Sequence, residues 1–230
     1  MSRILALTIC LFLSGHLALA NEIVLDPGHS KSRPGAKSCS GGYEYAYNND
    51  LTRTVVEYLA AQGIFVDMTR KPGGEISLVA RAKMSSGKKL FISLHHDSVQ
   101  QQFIQYVNGN PCSEKAEGFS IFISGKKSFF QESLTISRVL GESLKDSGLH
   151  PSQHHGENIP GENRTLLDKH CGIYLCDDLI VLKDAQSPAL LLEAGVIVNP
   201  VDDARVTTKA YQLKIAEAIA KAIKFVTVNF

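Results

Sequence analysis

Three apolar runs in this chain each end on a residue that can bind a metal or move a proton. Residues 23–25 lead through Asp26-Pro27-Gly28 to His29, residues 90–94 run into His95-His96-Asp97, and residues 189–192 run into Glu193-Ala194-Gly195. Short apolar runs bounded by turn residues read as buried strands. In open α/β sheets, ligands sit outside the carboxyl ends of parallel strands. The three tips are therefore expected to converge on one site, at one edge of one sheet.

The intervening segments set the fold class. Residues 30–42 are polar and carry Pro34, Gly35, Gly41 and Gly42, which reads as a loop. Leu51, Val55 and Leu59 then fall on one helical face, Gly63 stops the helix, and residues 64–68 read as a second strand. Strand, loop, helix and strand in that order make a βαβ unit, which implies parallel pairing and a right-handed crossover. Further helices are expected over residues 76–85, 129–147 and 201–226. In the last, Leu213, Ala216, Ile219, Ala220 and Ile223 would be buried, with Lys214, Glu217, Lys221 and Lys224 in water. Strands are expected over 118–124 and 179–182. Residues 99–117 and 149–163 read as irregular. The pattern predicts an α/β fold: a single domain with a twisted, mostly parallel sheet of about six strands flanked by helices.

Arg3, an apolar run over residues 4–13 and Ala18-Leu19-Ala20 read as a secretory signal peptide cleaved after Ala20, leaving residues 21–230 as one domain. The apolar run is too short to span a bilayer, so the mature form is expected off the membrane, in the periplasm or outside the cell. Loss of Arg3 takes the formal net charge from +1 to zero. With no long basic run, nucleic acid is not expected as a partner. Cys39, Cys112, Cys171 and Cys176 suggest two disulfides in an exported chain. Of the three pairings, Cys171 with Cys176 is the local choice, which leaves Cys39 with Cys112. A four-cysteine zinc cluster is disfavoured because no Cys-x-x-Cys pair occurs.

His29, Glu44 and His95 make a His₂Glu set, a donor combination that catalytic zinc uses with its fourth position open. Glu193 follows an apolar run, where an acid is costly to bury unless paired or used. Beside such a site it can accept a proton from attacking water and pass it to a leaving nitrogen. Each residue also has a structural reading. A histidine after a strand often only closes a turn, Glu44 suits a helix N-terminus, and Glu193 can pair with Arg70 or Arg81. His96 is expected to face away from His95, since side chains alternate along a strand. His150, His154, His155 and His170 read as solvated loop residues. The conjunction of the four residues, rather than any one, points to a metal hydrolase.

These residues resemble the zinc-dependent N-acetylmuramoyl-L-alanine amidases of the amidase_3 type, over nearly the whole mature chain. The resemblance rests on Asp26-Pro27-Gly28-His29, on Gly42-Tyr43-Glu44 with Asn48 and Leu51, and on Thr69-Arg70 with Leu78 and Arg81. Ser93-Leu94-His95 and Leu191-Leu192-Glu193-Ala194-Gly195 with Asn199 complete it. It implies a Zn²⁺ cofactor held by His29, Glu44 and His95, with Glu193 as general base and acid. The implied reaction is hydrolysis of the amide between N-acetylmuramic acid and L-alanine of the peptidoglycan stem, by a monomer whose activator or inhibitor protein, if any, is open. Arg70 and Arg81 are expected to be structural. His96-Asp97 replaces a small residue and Asn, and Val196 replaces Phe. No self-plugging helix is expected over residues 125–179, and residues 99–117 are the expected place for a family-specific cap. The rival functions are a zinc carboxypeptidase or endopeptidase acting on wall peptides, and a non-catalytic wall-binding protein.

Overall fold

The computed structural model describes residues 22–71 and 73–230. The leader expected over residues 1–20 lies outside the described residues. The strands are β1 (Ile23–Pro27), β2 (Asp67–Met68), β3 (Leu90–Asp97), β4 (Gln105–Val107), β5 (Asn110–Cys112), β6 (Ser120–Ile123), β7 (Leu166–Asp168), β8 (Ile173–Leu175) and β9 (Ala189–Val196). The helices are α1 (Glu44–Ala60), α2 (Leu78–Lys83), α3 (Phe130–Asp146), α4 (Ile180–Lys183), α5 (Pro200–Val206) and α6 (Lys209–Asn229).

One sheet runs in the order β2-β1-β3-β9-β6-β8-β7, and β4-β5 is a separate hairpin. β1 pairs in parallel with β2 and β3, β3 with β9, and β6 with β8; β6–β9 and β7–β8 are antiparallel. Up to their C-terminal tips the central strands are apolar, Ser93 apart, because both faces are covered. Ile23, Leu25, Ile92, Leu190 and Leu192 pack in one core with Leu51, Val55, Leu59, Leu140, Ile219 and Ile223 from α1, α3 and α6. The alternate residues Val24, Phe91 and Leu191 pack with Val181 and Leu182 of α4 on the other face. No helix among the described residues is long and apolar enough to cross a membrane.

The α/β class holds, with seven strands in the main sheet rather than about six. Residues 179–182 are not a strand: Ile180–Lys183 is a single helical turn, a choice that a four-residue apolar run cannot specify by periodicity. β7 and β8 are three residues each, too short to give a periodic signal. Only Asp67–Met68 of the segment 64–68 joins the sheet, and Phe65 is exposed. The C-terminal helix is two. Asn199 caps α5 by accepting from the Val201 and Asp202 amides, and Thr208 caps α6 by accepting from the Tyr211 amide. Leu213 is exposed, and Ile215 takes the buried place expected for it.

The segment 99–117 contains the β4–β5 hairpin, whose Asn108-Gly109 turn has both φ angles positive. Asn-Gly at such a turn is a strong hairpin signal that the reading of this segment as irregular passed over. A Cys39–Cys112 disulfide ties the hairpin to the loop between His29 and Glu44. Cys171 and Cys176 are buried free thiols, against the local pairing. They flank β8, whose three extended residues rise about 3.3 Å each and hold the two thiols beyond disulfide reach.

Candidate active site

β1, β3 and β9 stop at the same edge of the sheet, where Pro27 is in register with Leu94 and His95 with Glu193. His29 follows the end of β1 with φ +58°, a left-handed backbone that a histidine rarely adopts. The turn that holds it is anchored from below. Asp26 is fully buried and takes both Arg81 Nε (2.6 Å) and Arg81 Nη2 (2.8 Å), with Ser93 Oγ donating at 2.7 Å. Arg81 Nη2 also donates to the Pro27 carbonyl (3.0 Å), and Arg70 Nη2 donates to those of Gly28 (3.2 Å) and His29 (2.8 Å). Both arginines are thus structural, as expected, and neither pairs with Glu193.

Glu44 opens α1 and lies between the two histidines. His29 Nε2 is 3.0 Å from Glu44 Oε2, and His95 Nδ1 is 2.9 Å from Glu44 Oε1. The three donor atoms lie within 4.8 Å of one another. Burial by itself would raise the Glu44 carboxyl, but the hydrogen bonds and charges of His29 and His95 outweigh it and hold the group well below the usual carboxylate range. His29 Nδ1 donates to the Arg33 carbonyl at 3.2 Å, which turns Nε2 toward Glu44.

Two glycines form the floor. A Cβ on Gly28 would stand 2.4 Å from the His95 ring. A Cβ on Gly35, where φ is +74°, would stand 2.2 Å from Glu44 Oε2. Only a residue without a side chain permits either approach. A cleft of about 520 Å³ opens beside His29 and His95, walled by Ser30, Arg33, Glu75 and Leu78.

His96 lies behind Glu44, its backbone amide donating to Glu44 Oε1 at 3.3 Å. It is buried, and its Nδ1 donates to Asn48 Oδ1 at 2.7 Å, while Asn48 Nδ2 donates to Glu44 Oε1 at 3.1 Å. The departure at position 96 therefore supports Glu44 from behind. Burial pushes the His96 imidazole down to about 4, so it stays neutral.

Glu193 is only partly exposed, and its Oε2 is buried without a partner. Burial, then the negative charges of Asp97 and Glu44, push its carboxyl well above the ordinary range. A carboxyl raised in this way holds a proton more tightly than an ordinary acid, the property a general acid–base carboxyl uses.

The structure also corrects the reading of the 149–163 loop. His150 and His170 are exposed, but His154 and His155 are buried, in a 3₁₀ turn at His154–Gly156. His155 Nε2 is 2.8 Å and His154 Nε2 3.2 Å from Asp97 Oδ2. Burial would lower the His155 imidazole, but Asp97 and Glu162 raise it to about 9. Sequence reasoning passed over these two residues because adjacent histidines in a polar loop are usually wet. The signal available was Asp97, an acid two places beyond His95 on the same strand.

The sequence profile of the Amidase_3 family, N-acetylmuramoyl-L-alanine amidase, matches residues 23–225. This chain belongs to that amidase family. The family's enzymes are hydrolases, and the match spans every element of the main sheet from β1 to β9. The amidase is 26% identical over 227 residues to the N-acetylmuramoyl-L-alanine amidase AmiA of Escherichia coli, covering 87% of this chain and 74% of that protein. Its fold superposes on the crystal structure of the amidase Ami1 from Mycobacterium smegmatis with a TM-score of 0.73 at 22% identity, over 93% of this chain and 99% of the other. It likewise matches the CwlD amidase from Clostridioides difficile, solved in complex with the GerS lipoprotein, with a TM-score of 0.67 at 23% identity, over 91% and 98% of the two chains.

Proposed function

We propose that this amidase cuts the amide between the lactyl group of N-acetylmuramic acid and L-alanine of the stem peptide, with His29, Glu44 and His95 holding Zn²⁺ and Glu193 moving the proton. The observation that carries this reading is the convergence of three donors within 4.8 Å beside a strand-register partner carboxylate whose Oε2 is buried and unpaired. Two imidazoles and a carboxylate suit zinc, and glycines at positions 28 and 35 leave room for the donors to close on an ion. When bound, zinc supplies Lewis acidity toward the scissile carbonyl and acidifies water.

The chain's own residues do the rest. The charge of Glu44, kept ionised by two histidines, fixes their orientation. Glu193 accepts a proton from the attacking water as oxygen bonds to the lactyl carbonyl carbon. It returns that proton to the nitrogen of L-alanine as the C–N bond breaks. The products are a free lactyl carboxylate and a stem peptide with a free amino terminus. The cleft beside His29 receives one side of the substrate.

In this reading residues 21–230 are the catalytic unit and act as a monomer, and residues 1–20 are the leader that takes it to the periplasm or the cell exterior. A protein regulator is part of the reading on the precedent of the CwlD–GerS complex. The test is a digest of purified peptidoglycan by the mature chain, read by mass spectrometry. Stem peptides beginning at L-alanine, absent after chelation and in Glu193→Ala, support the reading. Cleavage inside the stem overturns it.

A further inference from the structure

We propose that Asp97, His154 and His155 form a second divalent-cation site of the zinc class, distinct from the His29–Glu44–His95 set. The two histidines come from the His154–Gly156 turn and the acid from the end of β3, so the donors belong to separate parts of the chain. Their donor atoms lie within 4.8 Å of one another. Both Nε2 atoms face one carboxylate oxygen, Asp97 Oδ2, at 3.2 and 2.8 Å. The edge of a tetrahedron with bonds of 2.0–2.1 Å is roughly 3.3 Å, which the separations of both nitrogens from Asp97 approach.

Each ring is also held by its other nitrogen. His154 Nδ1 is 2.9 Å from Ser152 Oγ, and His155 Nδ1 is 2.9 Å from Glu162 Oε2. Metal-binding histidines are oriented in this way, by an outer partner on the nitrogen that does not bind the metal. The outer carboxylate on His155 is itself tied by a hydrogen bond from Gln100 Nε2 at 3.0 Å.

The independent observation is His154 Nε2. The residue is 5% exposed, and this nitrogen has no hydrogen-bond partner although it aims at Asp97. A buried nitrogen without a partner is costly and calls for an explanation. A proton on His155, shared between Asp97 and Glu162, accounts for His155 alone and leaves His154 Nε2 with no more than its 3.2 Å ion-pair contact to Asp97. A cation accounts for both rings.

The site is reachable. A cavity of about 290 Å³ is lined by Asp97, His155 and Glu193 together with Phe122 and Arg164, which provides an entry path and an open coordination position. Two imidazoles with one carboxylate favour a zinc-class ion over calcium or magnesium, which take oxygen ligands. Occupied, the site clamps the His154–Gly156 turn to the end of β3 at the rim that Glu193 shares.

The proposal does not depend on the role given to His29, and zinc binding to the mature, full-length domain separates the two. Chelator-stripped protein is titrated with Zn²⁺ by calorimetry, and bound metal is counted by mass spectrometry after gel filtration. The expected result is two equivalents for the native protein, one for His29→Ala, one for His154→Ala and none for the double variant. Should His154→Ala fail to fold by circular dichroism, the equivalent retained by His29→Ala and its loss in His29→Ala/His155→Gln decide the matter. A single native equivalent that His29→Ala abolishes overturns the second site. A single equivalent that survives His29→Ala and is lost in His154→Ala upholds it and overturns the first-site reading instead.

Discussion

His95 on β3 and Glu193 on β9 are register partners in adjacent parallel strands. Register partners lie one inter-strand spacing apart, about 4.8 Å, with both side chains on the same face. A hydrogen-bonded ladder thus sets the distance between a proposed metal ligand and the proposed proton carrier, and a one-residue slip would turn them to opposite faces. Glu193→Gln keeps the shape and removes the base. Its kcat on peptidoglycan is expected to fall about 10²- to 10⁴-fold, with bound metal unchanged. Turnover and metal content measured on the same preparation check this, and metal lost along with activity would make Glu193 a structural residue.

Arg81 meets a fully buried Asp26 under the turn that carries His29. Arg81→Met removes the cation and leaves a buried charge uncompensated, which costs on the order of 3–5 kcal/mol. Urea unfolding is expected to show that loss. A change below about 1 kcal/mol, the range of an exposed pair, would refute the anchoring role.

Gly35→Ala tests the floor of the site. The added methyl needs a left-handed backbone and meets Glu44 Oε2. The expected outcome is a folded protein, with the circular dichroism of the native chain, whose metal affinity falls about 10- to 100-fold because Glu44 is displaced. Native affinity in Gly35→Ala would mean that Glu44 is not held at this spot.

His96 contributes one part of the pH dependence of the metal-free protein's stability. Its folded pKa is lowered from 6.5 to about 4, chiefly by burial. Below pH 6.5 the unfolded chain takes up a proton that the folded chain refuses. Its contribution is therefore complete above pH 6.5 and is lost as pH falls toward 4, roughly 3 kcal/mol in all. Chemical denaturation between pH 4 and 7 in chelator, native against His96→Gln, is expected to show a shallower fall for the variant. Parallel curves would show that His96 titrates normally.

The cysteines give a compositional test. Under denaturing, non-reducing conditions the mature chain is expected to alkylate at Cys171 and Cys176 only, and at Cys39 and Cys112 after reduction. Cys39→Ser/Cys112→Ser is expected to lose about 4 kcal/mol, from the loop-closure entropy of a 73-residue separation. Peptide mapping that finds Cys171 joined to Cys176 would contradict the extended β8 between them.

Much of this was legible in the chain itself. The three apolar runs specify strands β1, β3 and β9 because uninterrupted burial on both faces leaves little else for such a run to be, and the turn residues that follow place His29, His95 and Glu193 at one edge. The periodicity of Leu51, Val55 and Leu59 specifies α1 and puts Glu44 at its first position. Tertiary structure alone decided what depends on contacts between distant segments. The two histidines at 154 and 155 are buried only because the loop folds over Asp97, which no local pattern encodes. Asn48 connects His96 to Glu44 only because α1 packs across β3. Cys39 meets Cys112 because the Asn108-Gly109 hairpin returns the chain to the His29–Glu44 loop, while the strand between Cys171 and Cys176 keeps that nearer pair apart. Local propensity acts over a few residues, whereas burial and partner choice are set by the packed whole.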